Sequence, residues 1–180
     1  MGPRFVKQAA VFYGALLVAA ALWNGLRGRE LAPPGDSIPL SVLLGVLAAA
    51  VTVSAGLLTY RAVPALRRLA DELAPVLVDG SSRSDLVLLA VFSGIGEEVF
   101  FRGAVQPEFG IVIASLAFGL LHIGPDRRFL IWTVWAVAAG FLFGALFEIT
   151  DGIVAPIVAH TLHNGATFLI WKRARTGKTA

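Results

Sequence analysis

The sequence predicts an all-α fold: a polytopic bundle of about six transmembrane helices with one short amphipathic helix at the membrane interface. The 180-residue chain is 57% hydrophobic and only 15% charged, whereas a soluble domain carries about 25% charged residues. Its Leu, Ala, Val, Ile and Phe fall into blocks of roughly the 20 residues that cross a hydrocarbon core. Its basic residues gather at the ends of those blocks, as the flanks of membrane helices do. Residues 1–180 therefore read as a single integral membrane domain.

The first span runs from about Phe5 to Leu26. It resembles the core of a secretory signal, but it lacks a convincing small-residue cleavage site and further spans follow, so it is read as a helix. The breaker APPGD at 32–36 precedes a second span, about Pro39 to Tyr60. Residues 63–77, VPALRRLADELAPVL, keep their charges in the middle and read as an interfacial amphipathic helix. After DGSS at 79–82 comes a third span, about Asp85 to Val105. The fourth covers about Glu108 to Ile123, and the tight QPE connection between them predicts antiparallel neighbours. GPD at 124–126 and TDG at 150–152 bound the fifth span, about Phe129 to Ile149, and the sixth runs from Gly152 to Trp171.

Six spans place both termini on one face, together with the 61–84 and 124–128 connections. That face collects twelve of the fifteen lysines and arginines: Arg4, Lys7, Arg61, Arg67, Arg68, Arg83, Arg127, Arg128, Lys172, Arg173, Arg175 and Lys178. The opposite face has Arg27 and Arg29, and Arg102 lies within a span. The positive-inside rule then predicts a multi-pass protein of the cell membrane with both termini cytoplasmic. The chain has no cysteine, which excludes disulfides, iron–sulfur clusters, thiolate zinc sites and cysteine nucleophiles. It also lacks the basic stripe with interleaved aromatics that nucleic-acid binding uses. The expected partners are the lipid bilayer and a membrane peptide or protein.

Within the spans a short set of polar residues stands out: Glu97, Glu98 and Arg102 in the third, His122 in the fourth, and His160, His163 and Asn164 in the sixth. Ionisable groups inside a membrane are costly and mark functional sites. Glu98 and Arg102 are four apart, in the order that favours an intrahelical ion pair. Glu97 is turned about 100° from Glu98 around the helix and has no partner in its own span. His160 and Asn164 share a helix face, and His163 flanks it as a packing residue. Phe118, one turn before His122, is expected to pack around the site.

A carboxylate, two imidazoles and an amide drawn from three helices suit amide hydrolysis, which needs an activated water, an oxyanion donor and a proton for the leaving amine. Glu97 with His122 can take the water proton, and His160 with Asn164 can donate to the oxyanion. The same atoms also suit a zinc site, with Glu97, His122, His160 and Asn164 as candidate ligands and a metal-bound hydroxide attacking. The pattern leaves Zn2+ and a metal-free site both open. No HExxH or GxSxG occurs, Ser93 and Ser115 lack a serine-protease context, and no aspartate lies mid-span.

These residues resemble the CAAX-prenyl-protease and bacteriocin-processing family of intramembrane endopeptidases. EExxxR is present as Glu97 to Arg102, followed by Gly103; FxxxH as Phe118 to His122; and HxxxN as His160 to Asn164. The ordered trio, each on its own span, covers a protease core of roughly 86–167, and the two N-terminal spans add nothing diagnostic. The resemblance implies endopeptidase activity on peptides near or in the membrane. It implies Glu97 as water-activating base with His122 its partner, His160 and Asn164 as oxyanion donors or metal ligands, and Glu98 and Arg102 as support. Glu97 is expected roughly 18 Å from the cytoplasmic end of its span, in a polar cavity, with Pro156 a source of a kink in the sixth. Two rival readings are a small proton-coupled transporter, for which no internal symmetry is seen, and a non-catalytic membrane adaptor or immunity protein.

Overall fold

In the computed structural model the backbone is described for residues 3–176 and side chains for 5–176. The side chain of Arg4 and all of Lys178, both assigned to the basic face, lie outside the described residues. Helices are the regular elements of the described chain: α1 (Pro3–Leu26), α2 (Ile38–Ala62), α3 (Pro64–Val78), α4 (Arg83–Phe100), a π turn (Phe101–Val105), α5 (Gln106–Leu120), a 3-10 turn (Arg127–Phe129), α6 (Leu130–Thr150) and α7 (Val154–Thr176). All six expected spans and the interfacial helix are thus present as helices. Among the described residues three helices are long and apolar enough to cross a membrane: Phe5–Leu26, Ile38–Ala62 and Arg127–Thr150. The other three, α4, α5 and α7, are shorter or carry the polar residues singled out above, which lowers their hydropathy.

Local sequence accounts for the boundaries. Ser82 starts α4 with a reciprocal capping box: its hydroxyl accepts from the Asp85 N–H at 3.1 Å while the Asp85 carboxylate accepts from the Ser82 N–H at 2.8 Å. The amphipathic α3 buries Leu69, Ala70, Ala74 and Val78 and leaves its arginines outside. It packs on α2 and α7. α6 ends at Asp151 in the left-handed conformation, φ 47°, immediately before Gly152.

The QPE segment does not break the chain as expected. α4 passes through the π turn directly into α5, because Pro107 falls in the first turn of a helix, where no N–H is required. The real kink is at Gly110, with φ 80° and ψ 167°, a conformation closed to other residues. α5 packs chiefly against α6 and, through Phe118, against Phe101 and Arg102 at the end of the third span. Pro156 likewise does not kink the sixth span: it is the third residue of α7 and helps to begin it.

Polar contacts sort the chain into two ends. At one, Arg27 and Arg29 of the α1–α2 connection pair with Glu108, and the Asp36 N–H donates to the Thr150 carbonyl at 3.2 Å. At the other, Arg128 pairs with Glu72 at 2.9 Å and Arg175 with Asp79. Tyr60 donates to Asp71 at 2.8 Å, and the Lys172 ammonium reaches the Val78 carbonyl at 3.2 Å. The segregation follows the charge reading, with the basic-rich connections together and Arg27 and Arg29 apart from them.

Candidate active site

α4 is the axis of the site, and small residues let its neighbours close on it. A Cβ at Gly94 would lie 2.1 Å from Thr161 Oγ1 and 2.9 Å from the Thr161 backbone nitrogen, so α7 rests directly on the α4 backbone. A Cβ at Gly96 would meet Tyr13 Cβ at 2.8 Å, which brings α1 equally close. The two glycines of GIGEE therefore admit a helix on each side, immediately before the paired glutamates.

Glu98 and Arg102 form the buried pair expected from their spacing, both side chains having no exposed surface: Arg102 Nε lies 3.1 Å from Glu98 Oε2. Arg102 also donates to the Gly140 carbonyl at 2.8 Å. Its guanidinium carbon sits 4.7 Å from the Phe118 ring centroid, with Phe143 and Phe101 at 5.7 and 5.9 Å. Every face of this buried cation thus meets a carboxylate, a carbonyl or an aromatic face, as an ion inside a bundle requires. One turn on, the Gln106 amide donates to the Gly144 carbonyl at 3.1 Å and to Glu148 at 3.0 Å. Arg102 and Gln106 thus read two carbonyls of α6 one turn apart, at glycines where the helices approach closely.

Glu98 does more than the spacing implied, since its Oε1 also lies 2.7 Å from His160 Nδ1. His160 stacks on Phe143 at 5.1 Å between centroids and meets the edge of Phe118 at 5.9 Å. His122 lies just beyond the end of α5, its Nδ1 2.8 Å from the Phe118 carbonyl and its ring 4.8 Å from the Phe118 ring. A carbonyl can only accept, so Nδ1 of His122 carries the hydrogen and Nε2 the lone pair. Phe118 therefore packs against both imidazoles and the guanidinium, the packing role expected of it. Asn164 donates to Ser93 Oγ at 2.9 Å, and Ser93 donates on to the Ala90 carbonyl at 3.2 Å, which fixes the amide.

Glu97 differs from all of these. Its Oε2 is buried without a hydrogen-bond partner among the described residues, and the Tyr13 phenol lies against the carboxylate. Glu97, His122, His160 and Asn164 all line one cavity of about 610 Å³, which runs past Trp135 and Phe168 to Asp71 of α3. No hydrogen bond joins Glu97 directly to His122 among the described residues; they share the cavity instead. The donors do not fit a metal centre: among the described residues no three His, Asp or Glu are grouped to hold an ion.

Several functional neighbours escaped the sequence reading. Asn24 is buried in α1 at 1% exposure and donates to the Gly103 carbonyl at 2.9 Å. Pro107 has no N–H to return to that carbonyl, and Asn24 supplies one. A lone amide in an apolar span was the available signal. Tyr13 and Thr52 gave none, because nothing in α1 or α2 marks which polar group will face the third and sixth spans.

The family model for type II CAAX prenyl endopeptidases, Rce1-like, matches residues 80–166. The uncharacterized protein YpbD of Bacillus subtilis (strain 168) is 32% identical over 75 residues, a stretch that covers 42% of this chain and 39% of YpbD. No solved structure matches the chain. The chain is accordingly a helical protein with helices long and apolar enough to cross a membrane, whose residues 80–166, a little under half of its length, are similar to the Rce1-like type II CAAX prenyl endopeptidases.

Proposed function

We propose that the protein is an intramembrane endopeptidase that hydrolyses membrane-associated peptides with a glutamate-activated water. What carries this reading is Glu97: a carboxylate with one buried oxygen that has no hydrogen-bond partner among the described residues, on a cavity that also receives His122, His160 and Asn164. A water between Glu97 and His122 Nε2 gives up a proton to the carboxylate while its oxygen attacks the scissile carbonyl. Asn164 retains an amide hydrogen beyond the one given to Ser93, which it donates to the oxyanion, and His160, its Nδ1 held by Glu98, is the second donor when its Nε2 carries a hydrogen. Glu97 then returns its proton to the departing amine as the C–N bond breaks. Every group in this cycle belongs to the chain, and no step passes through a metal.

The basic-rich end carries α3 and the C-terminal end of α7, and the positive-inside rule puts it, with both termini, in the cytoplasm. The cavity reaches Asp71 and Arg175 at that end, so substrate comes from the cytoplasmic half of the bilayer. The test is turnover of quenched-fluorescent membrane peptides, with and without a prenyl group, by purified protein in detergent. Glu97→Gln should lower kcat at least about 100-fold, the scale of a lost general base, with unchanged thermal stability. If that variant cleaves as well as the wild type, the mechanism is wrong. Activity lost to a chelator and restored by zinc would overturn its metal-free form.

A further inference from the structure

His163 lines the same cavity as Glu97 and His160 but takes no part in the chemistry above. Its Nδ1 lies 3.0 Å from the Thr52 hydroxyl. That hydroxyl lies 3.0 Å from the Ala48 carbonyl and 3.1 Å from the Ala49 carbonyl, so its single hydrogen is committed to its own helix. With its hydrogen turned to its own helix, the hydroxyl accepts from the imidazole Nδ1–H. That arrangement has the hydrogen on Nδ1 and the lone pair on Nε2.

Unlike His160, His163 has no ion pair among the described residues. Trp135 packs beside the ring at 6.3 Å between centroids, and Phe168 and Trp171 continue the same wall. Nε2 in that tautomer is an acceptor on an aromatic surface, with no hydrogen bond to it among the described residues.

We propose, building on the peptidase reading, that His163 is a substrate-binding residue whose Nε2 accepts a hydrogen bond from a backbone N–H of an extended peptide. A peptide bond must leave helical pairing to be hydrolysed, and in a low-dielectric cavity each freed N–H needs a new acceptor. His163 is three residues from His160, a rise of about 4.5 Å along α7. Extended chain advances about 3.3 Å per residue, so the N–H it holds lies one or two residues from the bond at His160.

Binding can be read without cleavage, using the Glu97→Gln protein in detergent and a dye-labelled apolar decapeptide followed by fluorescence anisotropy. A depsipeptide series, with one amide N–H at a time replaced by an ester oxygen, locates the hydrogen bond. One analogue should bind about tenfold more weakly than the parent, the scale of one buried hydrogen bond. Adding His163→Asn, whose amide keeps the donation toward Thr52 but lacks the Nε2 acceptor, should weaken the parent peptide about tenfold and abolish discrimination against that analogue. His163→Gln, which carries its amide oxygen toward the Nε2 position, should restore part of the affinity. Equal affinity of His163→Asn for the parent, persistent discrimination, or no binding of the peptide overturns the proposal. A peptide bound in a His163-dependent way yet never cleaved by the wild type would overturn the peptidase reading and leave this one standing.

Discussion

Glu98→Gln removes a charge while keeping the side chain's shape, in a place where the cost can be worked out. Glu98 and Arg102 have no exposed surface and lie 3.1 Å apart. Losing one member of such a pair strands the other as an uncompensated buried charge, at about 3–5 kcal/mol. Arg102 keeps the Gly140 carbonyl at 2.8 Å and the Phe118 ring at 4.7 Å, and the new amide can still accept from it, so the lower end of that range is expected. For a chain of this size each kcal/mol moves the melting temperature by about 2–4 °C, so Glu98→Gln should melt roughly 6–12 °C below the wild type. The double variant Glu98→Gln/Arg102→Met has no stranded charge and should recover most of the loss. Tryptophan fluorescence of detergent-solubilised protein during a thermal ramp reads all four species of the cycle. Single variants within about 2 °C of wild type, or a double variant that falls by the sum of the singles, would refute a buried ion pair that is coupled in this way. At temperatures where every species is folded, Glu98→Gln should still turn over more slowly than wild type, because His160 has lost the carboxylate that holds its Nδ1.

Gly94→Ala places a methyl on the Thr161 backbone and should destabilise the protein by about 1–3 kcal/mol, whereas Gly25→Ala, with nothing within 4 Å, should leave the melting temperature within a degree or two or raise it. Asn24→Ala strands the Gly103 carbonyl and should cost about 1–3 kcal/mol; the same change in a Pro107→Ala background, where a backbone N–H is regained, should cost measurably less in the same thermal assay.

Much of the fold was legible because a bilayer demands long apolar blocks, and block ends are marked by charge and by Gly, Pro and Asp. The polar residues of the site were legible for the same reason: Glu97 and His160 stand out against a hydrocarbon background. What escaped depends on tertiary placement. QPE looks like a turn, but proline is welcome in a helix's first turn, and the actual bend sits at Gly110, whose neighbours give no warning. The spacing of Glu98 and Arg102 announced their pair, while the link from Glu98 to His160 spans 62 residues and two helices. The zinc alternative was open in the sequence because residue types alone do not say whether their donors converge on one point, and among the described residues no three His, Asp or Glu do so.

The segment recognisable as Rce1-like begins at residue 80, yet the pocket does not. Tyr13, Thr52, Tyr60 and Leu69 supply walls of it from α1, α2 and α3, and Asn24 completes a carbonyl of the π turn that holds Arg102. The boundary drawn by ancestry is therefore not a boundary for folding: an excised 80–166 fragment would keep Glu97, His122, His160 and Asn164 while opening their cavity directly to lipid. The first 79 residues thus return a phenol and a hydroxyl to the pocket and an amide to the π turn beneath it, from helices that lie outside the recognisable segment.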